Sequence, residues 1–279
     1  MLSFSLGPLA LSITHLLLLI ALVLATLVGW LVGRKQKINP EKVIFSLFLS
    51  GVLIARLSFV IVYWAQYHDN LTAIIDIRDG GFLTWPGVIT VLLGGALYGW
   101  KRPSLRGPLG SGVGLGLAFW LLANIGISYQ EDARLPDPTL RNVSGEPVRL
   151  SDYQGKKLVI NLWATWCPPC RREMPVLQAA QQAHEDVVFL FVNQAESPRT
   201  VATFLAAQGL HLNNLLFDSS GQLAQQVGSA ALPTTLFYTQ EGRLLATHLG
   251  ELSAASLKHT LDSFSPAAPS SISLSRSAQ

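Results

Sequence analysis

An almost uninterrupted apolar run near the start of the chain, Leu9 to Val32, is the strongest constraint on how this sequence folds. Its length matches the hydrocarbon thickness of a bilayer, so we expect a helix that spans a membrane. The alternative, a cleaved signal peptide, is disfavoured because Met1 to Pro8 carries no basic side chain and no small-x-small cleavage site follows the run.

Three further apolar runs predict three more spans, the second of these runs being short and glycine-bearing: Val43 to Trp64, Leu83 to Trp100 and Leu109 to Tyr129. Over the whole chain 49% of residues are hydrophobic and only 13% are charged, which is too apolar for an ordinary soluble domain. The excess lies in the first half, whereas the second half reads like a soluble sequence. We therefore predict an all-α, four-helix transmembrane domain over residues 1–130.

The lysines and arginines indicate the orientation of these spans, because basic loops are retained on the cytoplasmic side. The loop Arg34 to Lys42 has four basic residues against one acid, and Lys101 to Arg106 has three and no acid. The loop Tyr67 to Gly81 instead has three aspartates against one arginine. We therefore expect a multi-pass protein of the bacterial cytoplasmic (inner) membrane, with everything after Gln130 in the periplasm.

Arg56 lies inside the second predicted span, where a cation is costly unless it meets a partner or water. Asp76 and Asp79 are its candidate partners. Two interpretations remain open for this membrane-domain polar site: it binds a substrate, or the arginine snorkels or pins one helix to a loop.

The stretch Ala55-Arg56-Leu57, followed by Ile75 to Gly81, resembles part of the prolipoprotein diacylglyceryl transferase family, over about Ser50 to Trp100. That family carries a histidine in a glycine-flanked segment, whereas this sequence reads Gly80 to Gly87 without one. Proton transfer in such a site needs a titratable group. We therefore interpret the region as a reused anchor.

The second half follows a polar linker, residues 131–136, and alternates between strand and helix patterns. A hairpin is predicted around Ser144-Gly145, and strands at Lys157 to Trp163, Val187 to Val192, Thr235 to Tyr238 and Leu244 to Leu249. Helices are predicted from near Pro168, at Pro198 to Gln208, at Ser219 to Val227 and at Leu252 to Phe264. This order predicts a central mixed sheet flanked by helices over residues 137–265, with an N-terminal β-hairpin extension. Residues 266–279, rich in serine and alanine, are predicted to be a disordered tail.

The only two cysteines, Cys167 and Cys170, fall where a strand meets a helix. A helix N-terminus favours thiolate over thiol, so we expect Cys167 to attack a disulfide and Cys170, one turn on, to resolve the mixed disulfide. The alternative is a zinc or copper site, but the companion ligands are missing, because His184 and His211 belong to other elements. A structural disulfide would constrain little, since the loop is short. We expect no metal and no other cofactor.

The run Asn161 to Pro175 resembles the TlpA/ResA family of membrane-tethered thiol-disulfide oxidoreductases, and the likeness extends over about Pro136 to Phe264. The resemblance implies a thioredoxin-like domain that exchanges disulfides through its cysteine pair. It includes Leu232 to Thr235, which matches the family's cis-proline loop. We therefore expect a cis peptide bond before Pro233, with the backbone of Leu232 offered to an extended substrate strand.

Proton handling in the resembled family implies further site residues. Asn161 occupies the place where thioredoxin has a buried aspartate. The segment Val192 to Ser197 resembles a family segment whose glutamate lies near the cysteines, so Glu196 is a candidate proton shuttle for Cys170; alternatively it is only a favourable acid ahead of a helix. The remaining supporting residues shape the loop: Trp166, which shields Cys167, and Pro168 and Pro169, which stiffen it.

The resemblance also implies a direction of electron flow, because this family generally reduces extracytoplasmic disulfides, often in cytochrome c biogenesis. No cysteine lies in the predicted spans, so a reductase needs a separate membrane electron donor of the DsbD type. The expected partners are extracytoplasmic protein disulfides or thiols and the lipid bilayer. Nucleic acid is not expected, because the basic residues form no stripe with interleaved aromatics. The alternatives are a disulfide-donating oxidase, and a lipid-modifying transferase or membrane scaffold with an auxiliary redox domain.

Overall fold

The computed structural model describes residues 3–6, 9–34, 37–68, 70–130 and 134–264. It contains a helical region, up to residue 130, and a sheet domain, residues 134–264. The predicted tail, residues 266–279, and the linker residues 131–133 lie outside the described residues.

The helical region contains four long helices: α1 (Ile13–Arg34), α2 (Glu41–Val62), α3 (Thr84–Lys101) and α4 (Arg106–Gln130). It is not purely helical, because β1 (Ser3–Leu6) pairs antiparallel with β2 (Leu9–Ser12) ahead of α1. The alternating pattern of residues 3–6 has the period of a strand. Because Leu9–Ser12 pairs with this strand, α1 begins at Ile13 and not at Leu9.

Three helical segments in the described part of the chain are long and apolar enough to cross a membrane: Ile13–Arg34, Glu41–Val62 and Pro103–Gly126. Their outward faces carry exposed aliphatic side chains, such as Val23, Ile61 and Leu122. Such a surface suits lipid better than water. The third predicted span does form a helix, α3, but it is not among the three, so the count of four spans stays a prediction.

Small residues let the helices of this region approach closely. Helix α1 has them at every fourth position along its buried face: Ala21, Ala25, Gly29 and Gly33. Opposite them, a Cβ added at Gly112 of α4 would lie 2.5 Å from the carbonyl oxygen of Ala25, and one at Gly116 would lie 2.9 Å from that of Ala21. The backbones of α1 and α4 therefore touch, and a larger side chain has no room between them.

The sheet domain contains seven strands in the order β4-β3-β7-β6-β5-β8-β9. Their bounds are β3 Thr139–Asn142, β4 Pro147–Arg149, β5 Lys157–Trp163, β6 Val187–Gln194, β7 Leu215–Asp218, β8 Thr234–Tyr238 and β9 Leu244–Leu249. Strands β5, β6 and β7 are parallel, and the other pairings are antiparallel. The helices are α5 Pro168–Ala183, α6 Pro198–Gln208, α7 Gln222–Gln226 and α8 Ala254–Asp262. The predicted mixed sheet with its hairpin extension is confirmed.

Several elements differ from the predicted ones, and three of the differences have a physical reason. Strand β7 was not predicted, because its four residues are too few to show a period; it forms by pairing with β6 and β3. Helix α7 is shorter than Ser219 to Val227, since Gly221 precedes it with a left-handed backbone. Helix α8 begins at Ala254 and not at Leu252, because Ser253 is its N-cap and accepts a hydrogen bond from the Ser256 N–H.

Both faces of the sheet are buried, which explains why β5 is apolar along almost its whole length. Val159 and Trp163 of β5 pack with α5, α6 and α8 on one face, whereas Leu158, Ile160 and Leu162 pack with Leu150 and α7 on the other. Strand β5 therefore lies between two packed layers, and its C-terminal end is fixed by both.

We expect Gly112→Leu to separate α1 from α4, because its side chain would overlap the Ala25 carbonyl. The cost is about 1–3 kcal/mol in the free energy of unfolding, measured as a lower melting temperature of the full-length protein in detergent. Gly114→Leu is the matched control, since nothing lies within 4 Å of a Cβ added there. Equal losses in the two variants would contradict the close packing.

Candidate active site

The cysteine pair lies between the end of β5 and the start of α5. Cys167 is the N-cap residue of α5, and its Sγ accepts a hydrogen bond from the N–H of Cys170 at 3.3 Å. The two sulfurs are joined in a disulfide. In the described residues, no group of three or more His, Cys, Asp or Glu side chains could hold a metal ion. Because Cys167 is the N-cap of α5, its Sγ lies at the positive end of the helix dipole, where a thiolate is stabilised.

The two cysteines and their neighbouring tryptophan differ in exposure. Cys167 is 3% exposed and Cys170 is fully buried, whereas Trp166 is 67% exposed. A large exposed aromatic side chain next to the pair offers an apolar contact surface to a second molecule. The shielding of Cys167 by Trp166 stays a prediction.

The proline loop lies beside the same core. The predicted cis peptide bond is present between Leu232 and Pro233. Leu232 packs against the core cluster that contains both cysteines, and Pro233 is buried. The binding of a substrate strand by the Leu232 backbone stays a prediction.

A buried carboxyl group stands behind the cysteine pair. Glu173, three residues after Cys170 on α5, is fully buried. One carboxyl oxygen accepts a hydrogen bond from Asn161 Nδ2 at 2.8 Å, and the other accepts one from the Leu252 N–H at 2.9 Å. Burial raises the pKa of Glu173 from its ordinary value of 4.5 to about 8, although these two hydrogen bonds act in the opposite direction. This carboxyl can therefore hold or release a proton close to neutral pH.

Sequence reasoning missed Glu173. Thioredoxin has a buried aspartate where this chain has Asn161, and Glu196 was the predicted replacement. In the structure it is Glu173 of α5 that lies next to Asn161. A signal was present in the sequence: Glu173 falls on the buried stripe of α5, together with Cys170, Met174 and Leu177. An acidic residue in the apolar stripe of an amphipathic helix costs free energy, so it marks a candidate functional group.

Glu196 contacts the turn that precedes Cys167. Its carboxylate accepts hydrogen bonds from the Thr165 N–H at 2.7 Å, from Asn193 Nδ2 at 2.8 Å, and from the Thr165 hydroxyl. Helix α6 begins after it, at Pro198, with Ser197 as N-cap. Glu196 thus ties the end of β6 to the turn before the cysteines, and its role as a proton shuttle stays a prediction.

The polar cluster around Arg56 lies at the end of the helical region nearest the sheet domain. Arg56 forms a buried ion pair with Asp79, at 2.9 Å, while the Asp76 side chain binds Arg78 instead. The other guanidinium donors bind backbone carbonyls, those of Ala73, Ile74, Asp76 and Gly81. A guanidinium has five N–H donors, and contacts within the described residues account for all five. This geometry matches the interpretation in which the arginine pins a helix to a loop.

The raised pKa of Glu173 generates a prediction about stability. Between pH 4.5 and about 8 the folded protein holds a proton that the unfolded chain releases. Its stabilising effect is complete below that range and is lost as the pH rises through about 8. The melting temperature of the oxidised full-length protein should therefore fall between about pH 7 and pH 9.

Glu173→Gln should remove most of that fall, as followed by near-ultraviolet circular dichroism in detergent. His248 interferes little, because its ordinary pKa of 6.5 lies below this range and burial lowers that pKa in the folded state. An unchanged slope in the Gln variant would rule out Glu173 as its source.

The sheet domain and the helical region match different families. Residues 130–261 match the family model described as Redoxin, and residues 1–124 match the one described as Prolipoprotein diacylglyceryl transferase. The chain is 31% identical over 140 residues to the thioredoxin-like protein YneN of Bacillus subtilis, covering 49% of this chain and 81% of that protein. It is 32% identical over 133 residues to the thiol-disulfide oxidoreductase ResA of Geobacillus thermodenitrificans, covering 47% of this chain and 76% of that protein.

Among solved structures, the chain is similar to a thiol:disulfide interchange protein, DsbE, from Chlorobium tepidum, with 26% identity and a TM-score of 0.44. That match covers 48% of this chain and 96% of the other. The curated relatives thus account for the sheet domain, with its Cys167–Cys170 disulfide, and the second family model accounts for the helical region. The chain belongs to the TlpA/ResA-like thiol-disulfide oxidoreductases, with a helical region similar to prolipoprotein diacylglyceryl transferase fused ahead of the redox domain.

Proposed function

We propose that this oxidoreductase is a disulfide reductase of envelope proteins, anchored in the bacterial inner membrane by four spans over residues 1–130. A linker, residues 131–136, leads to the redox domain, residues 137–265, in the periplasm. The observation that carries the proposal is the sulfur of Cys167 at the N-terminus of α5, with Cys170 buried behind it. The acidic loop between α2 and α3 contacts the sheet domain, and such a contact requires the loop and the domain to lie on the same side of the membrane, which supports the proposed orientation.

The proposed reaction is a pair of thiol-disulfide exchanges. The Cys167 thiolate attacks a client disulfide; that bond breaks, a bond from Cys167 to the client forms, and the second client sulfur leaves as a thiolate. Cys170 then attacks Cys167, which frees the remaining client sulfur and leaves the enzyme disulfide. Two electrons pass to the client, and its thiolates take up protons from solvent.

Glu173 is placed to take the proton that Cys170 must lose before it attacks. The two residues are three apart on one helix face, so their side chains are neighbours. A pKa of about 8 is close to the ordinary thiol value of about 8.5, so proton transfer between them is nearly balanced. We assign Glu196 to the turn before Cys167, where it orients Thr165.

The reductive direction is proposed from the resemblance to the TlpA/ResA family, because thiol-disulfide exchange is itself reversible. Both cysteines of the chain lie in the redox domain, so a reductase needs electrons from a separate membrane protein, which we propose to be of the DsbD type. The relative ResA is named a thiol-disulfide oxidoreductase, which supports the same reaction class. Cytochrome c maturation is the process in which we expect its clients.

The helical region serves as an anchor in this proposal. A lipid-modifying transferase would need polar groups free to bind a lipid headgroup, whereas the donors of Arg56 are engaged by Asp79 and by backbone carbonyls. The segment Gly80 to Gly87 also offers no histidine for proton transfer.

We expect Cys170→Ala to accumulate mixed disulfides on Cys167 in intact cells, because the resolving sulfur is gone while the attacking one remains. Non-reducing gels followed by mass spectrometry identify the trapped proteins. Cys167→Ser is the matched control and should trap none. Clients trapped equally by the Cys167→Ser variant would contradict the assignment of the attacking sulfur.

The reductase proposal also predicts the redox state of the enzyme in cells. The pair should be mainly reduced in wild-type cells and become oxidised when the membrane electron donor is deleted, as measured by thiol alkylation. A pair that is mainly oxidised with the donor present would instead indicate a disulfide-donating oxidase.

A further inference from the structure

The loop between α2 and α3 joins the helical region to the sheet domain. Asp79 in this loop is 7% exposed. On the side of the helical region it binds Arg56 and the Tyr67 hydroxyl, which donates to Asp79 Oδ2 at 2.9 Å. The Gly81 N–H donates to the other oxygen, Oδ1, at 3.1 Å. The position of Asp79 is therefore set by the helical region.

The opposite side of Asp79 binds the first turn of α8. Ser253 Oγ donates to Asp79 Oδ2 at 3.0 Å, and Ser256 Oγ donates to the Asp79 backbone carbonyl at 2.7 Å. Ser256 is 6% exposed, so water competes little for the second bond. Two serines of the sheet domain thus bind one aspartate of the helical region.

Other contacts flank this one. Tyr63, just after α2, shares a hydrogen bond of 2.8 Å between its hydroxyl and Nδ1 of His259 on α8, and Phe59 packs edge-on against the same ring. A Cβ added at Gly80 would lie 3.3 Å from Cε1 of His248 on β9. The helical region therefore contacts α8 and β9 together.

The residue that precedes this first turn of α8 reaches the active site. Leu252 adjoins Ser253, and its N–H donates to Glu173 Oε2 at 2.9 Å. A continuous series of contacts therefore leads from Arg56, through Asp79 and Ser253, to the carboxyl behind the cysteines. Each contact in the series is buried or half-buried, so solvent screens it weakly.

We propose that Asp79 is a positioning residue for thiol-disulfide exchange: by holding the first turn of α8 it keeps the Leu252 N–H on Glu173, and so the helical region acts on the redox centre. This rests on the proposed role of Glu173. The helical region is then part of the redox machinery and not only its anchor.

The chemical consequence concerns the ionisation of Glu173. The Leu252 hydrogen bond favours the carboxylate, against burial, which favours the acid. Weakening that bond raises the pKa of Glu173. A smaller fraction of Glu173 is then ionised near neutral pH and able to accept the proton of Cys170. Within the described residues, four charged or titratable groups lie around Glu173: Cys170 on its own helix, Glu251, Arg172, which pairs with Glu251, and His248, which contacts the Glu251 carbonyl. The strands β5 and β8 contribute neutral side chains, those of Asn161 and Thr235.

The test is an infrared titration of the buried carboxyl in the oxidised, full-length protein in detergent. The band of the protonated acid is assigned by its absence in Glu173→Gln. The double variant Ser253→Gly with Ser256→Ala removes both bonds to Asp79, and glycine at an N-cap costs only a few tenths of a kcal/mol. We expect its titration midpoint to rise by about half to one pH unit, the effect of weakening one hydrogen bond to a charged group.

Thr260→Ala is the matched control, because it removes a hydroxyl that bonds within α8, to the Ser256 carbonyl. Its midpoint should equal that of the wild type. Asp79→Asn, which keeps an acceptor for Arg56, should move the midpoint in the same direction as the serine variant.

A wild-type midpoint in the serine variant, or an equal shift in Thr260→Ala, would overturn the proposal. The titration needs no substrate, so it can fail while Cys167 still exchanges disulfides. Conversely, if the wild-type protein did not exchange disulfides, the proposed function would be refuted, while the titration midpoints of Glu173 would be unaffected.

Discussion

The central position of β5 is the constraint on which the rest of the redox domain depends. This strand pairs with β6 on one side and β8 on the other, and core residues cover both of its faces. Its end is therefore fixed, and so is the turn that places Cys167 at the N-cap of α5. Because β5 also carries Asn161, the same strand holds the hydrogen-bond partner of Glu173. The cysteine pair and the buried acid are thus positioned by one element.

The burial of Glu173 sets the chemistry of the site. In water a carboxyl is ionised at neutral pH, whereas burial brings the pKa of Glu173 to about 8, near the ordinary thiol value of about 8.5. Two hydrogen bonds, from Asn161 and from Leu252, prevent the pKa from rising further. A group balanced between opposing effects responds to small changes in either, which is why a contact at the start of α8 bears on reactivity at α5.

The helical region and the redox domain meet through polar contacts made by the end of α2 and the loop that follows it. Arg56, which is costly inside an apolar helix, is compensated by Asp79 and by the carbonyls of the loop that it organises. That loop in turn binds Ser253 and Ser256. A region similar to a lipid-modifying enzyme therefore contacts the redox domain through a loop that its buried cation binds.

The sequence alone determined the apolar segments, the order of most strands and helices, the cysteine pair at a helix start and the cis peptide bond before Pro233, because local pattern and motif carry these features. It left two partners open for Arg56 and missed β7 and Glu173. Each of these depends on residues distant in the chain: β7 exists through pairing with β3 and β6, and Glu173 gains its character from burial between Asn161 and Leu252. Tertiary structure decided the partner of Arg56, the pairing of β7 and the pKa of Glu173, since desolvation and hydrogen bonding act between neighbours in space and not in sequence.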